Sequence, residues 1–411
     1  MMKLFDELKY RGLINDVTSP QLEEKLNNGG LTFYIGTDPT GDSLHIGHYS
    51  SLLCAKRLKE HGHHPIMLVG GATGFIGDPK ASGERNMLSK EVLRHNYEKL
   101  SEQIERLFGF TMVNNLDWTK DITVIDYLRD YGKFFNVGYM LSKDTVKRRL
   151  ESGISYTEFS YMILHSLDFL HLYEHYNCTL QLGGQDQWGN ITSGLELIRK
   201  KHGADVACYG LTMPLITKAD GTKFGKSEAG TVWLDQEKTS AYEMYQFLVN
   251  SEDEKVIDYL KKLTFLSKAE IEALEKAVQT QPHKREAQKA LAKEVVTFLH
   301  GEAAYETAMR ITNALFGGDV KALRLTERRD ALKSFAAVDV DDAIKCIDFL
   351  VNGKVAASRR EAREWLKQGS IQINGVKVQD ENQIISKADA LVDDLHLVKR
   401  GKRNYSVIRQ H

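Results

Sequence analysis

Little in this 411-residue sequence points to export, a membrane or a bound metal. No apolar run reaches about 18 residues, which excludes a membrane-spanning helix. The opening MMKLFDELKYRG is charged and amphipathic and lacks the apolar stretch of a signal peptide, so a cytoplasmic protein is expected. Cysteine is scarce: Cys54, Cys178, Cys208 and Cys346 lie far apart and form no CxxC pair. That spacing suits neither a disulfide framework nor a zinc ribbon. Neither sign of charge dominates. With 55 Lys and Arg against 56 Asp and Glu, the net charge of −1 argues against wholesale coating of nucleic acid. No internal repeat or low-complexity tract is present. What remains is a globular composition, 42% hydrophobic and 27% charged, long enough for two or three domains.

The order of elements predicts an α/β fold. Residues 31–36 read as a buried strand. GHYSSLLCAKRLKEHG reads as a helix with Leu52, Leu53 and Leu58 on its inner side, and HPIMLVGG as a second buried strand. Such a β-α-β unit predicts a doubly wound parallel sheet. CTLQLGG (178–184) and the run near 211–216 extend it, with the helix WGNITSGLELIRKKHG between them. Residues 85–175 read as a mostly helical insertion. The pattern is helical again from Asp253 to about residue 316, and FGGDVKALRLTERRD reads as a loosely packed connector. The expected partition is 1–230 for the sheet domain with its insertion, 231–320 for a helical domain, 321–344 for a connector and 345–411 for a small α+β domain. The tail breaks the neutrality of the chain: residues 350–411 hold 12 Lys and Arg against 7 Asp and Glu. A locally basic module on a neutral chain suggests contact with nucleic acid.

Two loops and one helix carry candidate chemistry. In YIGTDPTGDSLHIGH (34–48), Gly36 and Gly41 let backbone approach a ligand, Asp38-Pro39 sets a turn, and a helix N-terminus follows. His45 and His48, at i and i+3, share one face and could both donate to a phosphate chain. Zinc ligation is disfavoured, because HExxH spacing and its Glu are missing. A pair of surface histidines stays open. KADGTKFGKSEAG (218–230) resembles a P-loop but has Asp220 where GxxxxGK[ST] needs Gly. Lys223, Lys226 and Ser227 could still close over a polyphosphate; a solvated loop is the alternative. SYTEFSYMILHSLDFLHLYEHY is apolar enough to be buried, yet Tyr161, His165 and Asp168 fall in one stripe at i, i+4, i+7. A buried polar stripe needs partners, either a structural network or a ligand.

HIGH followed by KFGKS resembles the paired signatures of the class I aminoacyl-tRNA synthetases. YIGTDPTGDSLHIGH, GGATGFIGDP, YTEFSYMILHSLDF, QLGGQDQWGNI and TKADGTKFGKS, in that order, resemble the bacterial tyrosyl-tRNA synthetases over essentially the whole chain. The resemblance implies a Rossmann-like catalytic domain, an anticodon-side helical domain and a C-terminal S4-like RNA-binding domain. It implies that Tyr34 and Asp168 hold the phenolic hydroxyl of L-tyrosine, and that Tyr161, His165 and Asp78 hold its ammonium and flanking groups. Thr40, His45, His48, Lys223, Lys226 and Ser227 would stabilise charge on the phosphates of ATP. Gly36, Asp38, Gly184, Asp186 and Gln187 would orient substrate and adenylate. Mg²⁺ would arrive with ATP as substrate, with no tightly bound cofactor and no metal ligands of the chain's own. Arg359, Arg360, Arg363 and Lys367, on the helix of SRREAREWLKQGSIQINGVKV, would contact the tRNA(Tyr) backbone. Relatives are homodimers. His165 stands where many relatives carry Gln, and Gln185 where Ser is common. Two other readings are a different HxGH nucleotidyltransferase and a non-catalytic RNA-binding protein on the same scaffold.

Overall fold

An apolar stretch between Gly30 and Gly36 with Phe33, Tyr34 and Ile35 all buried is the signature of a strand covered on both faces. In the computed structural model this is β2 (Thr32–Thr37). The structure describes residues 2–79, 87–150, 153–227, 230–333, 335–401 and 404–411; the side chains of Asp144, Thr145, Lys226 and Ser227 lie outside the described set. The chain divides into two compact units. The first comprises residues 1–226, 231–235 and 251–287, and the second 227–230, 236–250 and 288–411.

The first unit is built on a six-stranded sheet. With β1 (Asp16–Val17), β3 (His64–Val69), β4 (Thr111–Asn114), β5 (Cys178–Gly184) and β6 (Tyr209–Met213), the order is β1-β6-β5-β2-β3-β4. All pairs are parallel except β1 against β6. The chain runs outward from β2 to β3 and returns to its other side as β5. The ends of β2 and β5 therefore border the switch point, where such sheets bind ligands. Among the described residues the stretch 85–175 is mostly helical, as expected, with strand β4 as an addition that the sequence did not show. That strand follows the long helix α2 (Lys90–Phe108), and its four residues are too few to show a period.

Helix α1 (Ile46–Glu60) buries Leu52, Leu53 and Leu58, as its periodicity predicts. It also buries Arg57, which is 2% exposed. The Arg57 guanidinium donates to Glu7 Oε1 at 3.1 Å and to the Thr264 carbonyl. Arg11 shares the same Glu7 oxygen at 2.7 Å and reaches the Leu266 carbonyl at 2.7 Å. These carbonyls follow the helix Asp253–Leu263, whose negative dipole end helps to offset two guanidiniums on one carboxylate. Helices α3 (Tyr156–Tyr176) and α4 (Trp188–His202) pack on each other beside the sheet, with Leu167, Phe169, Leu170, Ile191, Leu195 and Ile198 in the shared core.

In the second unit, α5 (Ala241–Val249) packs on α6 (Glu302–Phe316), and α6 on α7 (Leu325–Lys333). The five-stranded sheet combines β7 (Ala337–Val340), β8 (Ile371–Ile373), β9 (Val376–Lys377), β10 (Leu395–Arg400) and β11 (Asn404–Gln410) in the order β9-β8-β10-β11-β7. Helices α8 (Cys346–Asn352) and α9 (Arg359–Lys367) cover one core through Phe349, Leu350, Ala362 and Leu366 against Ile371, Ile373, Val398 and Ile408. The stretch 321–344 differs from the loosely packed connector of the sequence reading. Leu323, Ala331 and Leu332 are buried, Arg310 pairs with Glu327 at 2.7 Å, and β7 runs parallel to β11 as an edge strand. Its many charges hide these contacts from a composition argument.

Candidate active site

His45 is the N-cap of α1, and its Nδ1 accepts from the Gly47 amide at 3.1 Å. His48 Nδ1 accepts from the His45 amide at 3.3 Å, closing a capping box made of two imidazoles. The rings stack at 3.8 Å, 19° apart. Each Nδ1 is an acceptor, so in the neutral rings each Nε2 carries the proton and is a donor. Burial, aided by His45, pushes His48 down to about 3, so it stays neutral at physiological pH. Gly47 is required at the intervening position, because a Cβ there would lie 2.9 Å from the His45 ring.

The lysine-rich loop comes to the same place through backbone pairing. Val232 donates to Gly225 O at 2.9 Å, Ile46 to Val232 O at 2.9 Å, and Leu234 to Leu44 O at 2.8 Å. Gly225, at φ +97°, sits where a Cβ would be 2.6 Å from Ile46 Cγ2, which only glycine permits. Lys223 and both histidines thereby line one cavity of about 460 Å³ at the carboxyl ends of β2 and β5.

At the inner end of this cavity stand Tyr34 and Asp168, 1% and 2% exposed. Asp168 Oδ2 accepts from Asn115 Nδ2 at 2.9 Å and Oδ1 from Trp118 Nε1 at 3.0 Å. Burial nevertheless raises its carboxyl to about 7, against the pull of those two donors and with Asp38 adding to the rise. The Tyr34 hydroxyl is buried and, among the described residues, has no hydrogen-bond partner. Burial first, then Asp168, lifts its pKa well above the usual phenol range. A buried hydroxyl beside a buried carboxylate, both lining a cavity, leaves room for one further hydroxyl that donates to the acid.

Polar groups continue outward. Asn115 Nδ2 also donates to Thr73 Oγ1 at 3.0 Å, and Thr73 to Asp38 Oδ1 at 2.7 Å. The Tyr161 hydroxyl donates to Asp38 Oδ2 at 3.2 Å. Gln187 Nε2 donates to Asp78 Oδ2 at 2.9 Å. His165 Nε2 lies 3.3 Å from Gln181 Nε2, while His165 Nδ1 and Gln181 Oε1 are buried without hydrogen-bond partners among the described residues. Burial lowers His165 to about 4, so it is a neutral ring with acceptor capacity. Two aspartates and these unfilled acceptors suit a cation such as an ammonium.

Of the residues singled out in the sequence, Tyr34, Gly36, Asp38, Thr40, His45, His48, Asp78, Tyr161, His165, Asp168, Gly184, Asp186, Gln187 and Lys223 all line this cavity. Lys226 and Ser227 form a two-residue strand, and their side chains lie outside the described residues. Thr73, Asn115, Trp118 and Gln181 escaped the sequence reading. Gln181 was legible as the one amide in an apolar strand; Asn115 and Trp118 follow a strand too short to be seen. In the second unit, Arg359 pairs with Asp348 at 2.6 Å and Arg363 with Glu381 at 2.6 Å, whereas Arg360 and Lys367 are exposed. Arg400 lies over Trp365 at 4.2 Å.

A switch-point cavity that gathers a histidine-capped helix start and a lysine loop is the arrangement that the HIGH and KFGKS signatures of class I aminoacyl-tRNA synthetases imply. The family of tRNA synthetases class I (W and Y) matches residues 26–317, and the tyrosine–tRNA ligase SYY-like C-terminal domain matches residues 327–408. The chain is 50% identical to the tyrosine–tRNA ligase of Staphylococcus carnosus and 49% to that of Listeria monocytogenes, in each case over 99% of both chains. A C-terminally truncated mitochondrial tyrosyl-tRNA synthetase of Aspergillus nidulans superposes with a TM-score of 0.70 at 29% identity, covering 77% of this chain and 95% of that one. The chain belongs to the tyrosine–tRNA ligase family.

Proposed function

We propose the following division of labour for the ligation of L-tyrosine to tRNA(Tyr). The phenolic hydroxyl lies between Tyr34 and Asp168, donating to the carboxylate. Asp78, Tyr161, His165 and Gln187 surround the ammonium. The tyrosine carboxylate, already a nucleophile at neutral pH, attacks the α-phosphate of ATP and pyrophosphate leaves; the tRNA 3′-terminal ribose hydroxyl then attacks the mixed anhydride and AMP departs. No general base is needed in the first step, so rate comes from positioning and from stabilising charge on the phosphate. Thr40, the Nε2 donors of His45 and His48, and Lys223, with Lys226 and Ser227 further along the chain, supply that stabilisation. Gly36, Asp38, Gly184 and Asp186 orient the adenylate. Mg²⁺ accompanies ATP through its phosphates.

The observation that carries this reading is the unpartnered, buried Tyr34 hydroxyl beside Asp168. Phenylalanine would leave the buried Tyr34 hydroxyl without a partner and bring Asp168 no donor beyond Asn115 and Trp118. ATP–pyrophosphate exchange with each amino acid in turn tests it: tyrosine alone should support rapid exchange, and comparable exchange with phenylalanine would refute it.

Three wider assignments belong to the same proposal. Residues 345–411, an S4-like module, bind tRNA, with Arg360 and Lys367 as the cations of helix α9 that have no ion pair among the described residues, and the helical residues 231–320 lie on the anticodon side. The protein acts as a homodimer; support comes from Val124, Ile125, Leu128, Val137 and Tyr156, each more than half exposed in the insertion. It works in the cytoplasm; among the described residues no helix is long and apolar enough to cross a membrane.

A further inference from the structure

Trp118 does not line the cavity, yet it holds the residue that decides which amino acid enters. Its Nε1 donates to Asp168 Oδ1 at 3.0 Å. The opposite oxygen of Asp168 is held by Asn115, which is 0% exposed and fixed in turn by the Ala72 amide at 2.7 Å. Trp118 is partly buried and packs against the edge of the core that holds Phe169 and Leu170. A flat contact with His171 adds to that packing. The two rings lie at 4.3 Å, 11° from parallel. His171 is three residues after Asp168 on α3, so ring and carboxylate leave one face of one helix. His175 stands behind it at 4.4 Å. The indole is thus set by the same helix whose carboxylate it must meet.

We propose that His171 is a positioning residue for amino-acid specificity: its ring, stacked flat on Trp118, fixes the indole N–H against Asp168. The inference rests on the assignment of Asp168 to the phenolic hydroxyl. Burial first, then His175, holds His171 below the usual histidine range against the opposing pull of Glu174. The ring that stacks at neutral pH is therefore uncharged, and its plane rather than its charge does the positioning. A second flat ring should replace it, and a branched aliphatic side chain should not.

ATP–pyrophosphate exchange measured with tyrosine and with phenylalanine separates this role from a merely structural one. Both amino acids use the same ATP site, so damage to the fold lowers both rates and leaves their ratio alone. His171→Leu should lower the tyrosine-to-phenylalanine ratio of kcat/KM by roughly three- to tenfold, as when a hydrogen bond to a charged group is weakened rather than deleted. His171→Phe should restore the ratio. Trp118→Phe, which keeps a ring but deletes the N–H, should lower it at least as far, and the double variant with His171→Leu should lose no more than Trp118→Phe alone. An unchanged ratio in His171→Leu, equal losses in Leu and Phe variants, or multiplicative losses in the double variant would each overturn the proposal. Asp168→Asn in the same assay tells the two levels apart. If it leaves the ratio untouched, the hydroxyl assignment itself fails; if it collapses the ratio while His171→Leu does not, only the role of His171 is lost.

Discussion

Replacing Asp168 by Asn should make the first unit more stable and the enzyme worse. Raising a carboxyl from 3.8 to about 7 corresponds to about 4 kcal/mol of disfavoured ionisation. The sign follows from proton binding: the folded state holds the proton more tightly, so the folded carboxylate costs nothing below pH 3.8. The cost grows as pH rises from there and is complete above pH 7. Asn removes that cost but introduces another. Trp118 Nε1 still finds an acceptor in the amide oxygen, whereas the amide NH₂ then confronts Asn115 Nδ2, whose own oxygen is committed to the Ala72 amide. One buried donor left unpaired costs about 1–3 kcal/mol. The net gain should be about 1–3 kcal/mol at pH 8 and should vanish or reverse near pH 4.5. Thermal unfolding of wild type and variant at both pH values measures it, and exchange kinetics with tyrosine should fall by about tenfold or more as the charged acceptor is lost. A variant destabilised equally at both pH values would refute the reasoning, because the carboxylate would then carry no ionisation penalty.

Tyr34→Phe should cost tyrosine about 1 kcal/mol in kcat/KM while phenylalanine gains, since one orphan hydroxyl disappears from the buried end of the cavity; a parallel change for both amino acids in exchange assays would speak against it. His48→Ala should slow single-turnover adenylate formation by about tenfold to a hundredfold while changing tyrosine affinity less, because the donor acts on charge that develops in the transition state; equal losses would mean an ordinary ground-state contact. Ending the chain after Gly318 should spare pyrophosphate exchange and abolish tRNA charging. A cut just before residue 345 would instead strand β7 without β11 and confuse the result. Survival of charging after the earlier cut would remove the tail from the tRNA assignment.

The parallel sheet was legible because its strands announce themselves as unbroken apolar runs. The helix stripe at Tyr161, His165 and Asp168 was legible because polar residues on a buried face are conspicuous. Asn115 and Trp118 were not, since nothing about their spacing shows that β4 will deliver them to Asp168, 53 and 50 residues further along the chain. The basic helix α9 was read as a row of equivalent cations. Asp348 and Glu381, on other segments, divide that row into paired and unpaired members, which one-dimensional charge counting could not foresee.

The imidazole capping box at the start of α1 has a consequence for how this enzyme can vary. Serine or aspartate would close the same helix end well, but neither offers a rigid ring that accepts an amide on one side and donates outward on the other. The atoms that finish the fold here are bonded, within one small aromatic frame, to the atoms assigned to the chemistry. A mutational scan at positions 45 and 48 should therefore find no substitution that trades one property for the other: growth, solubility and turnover should decline as a single trait.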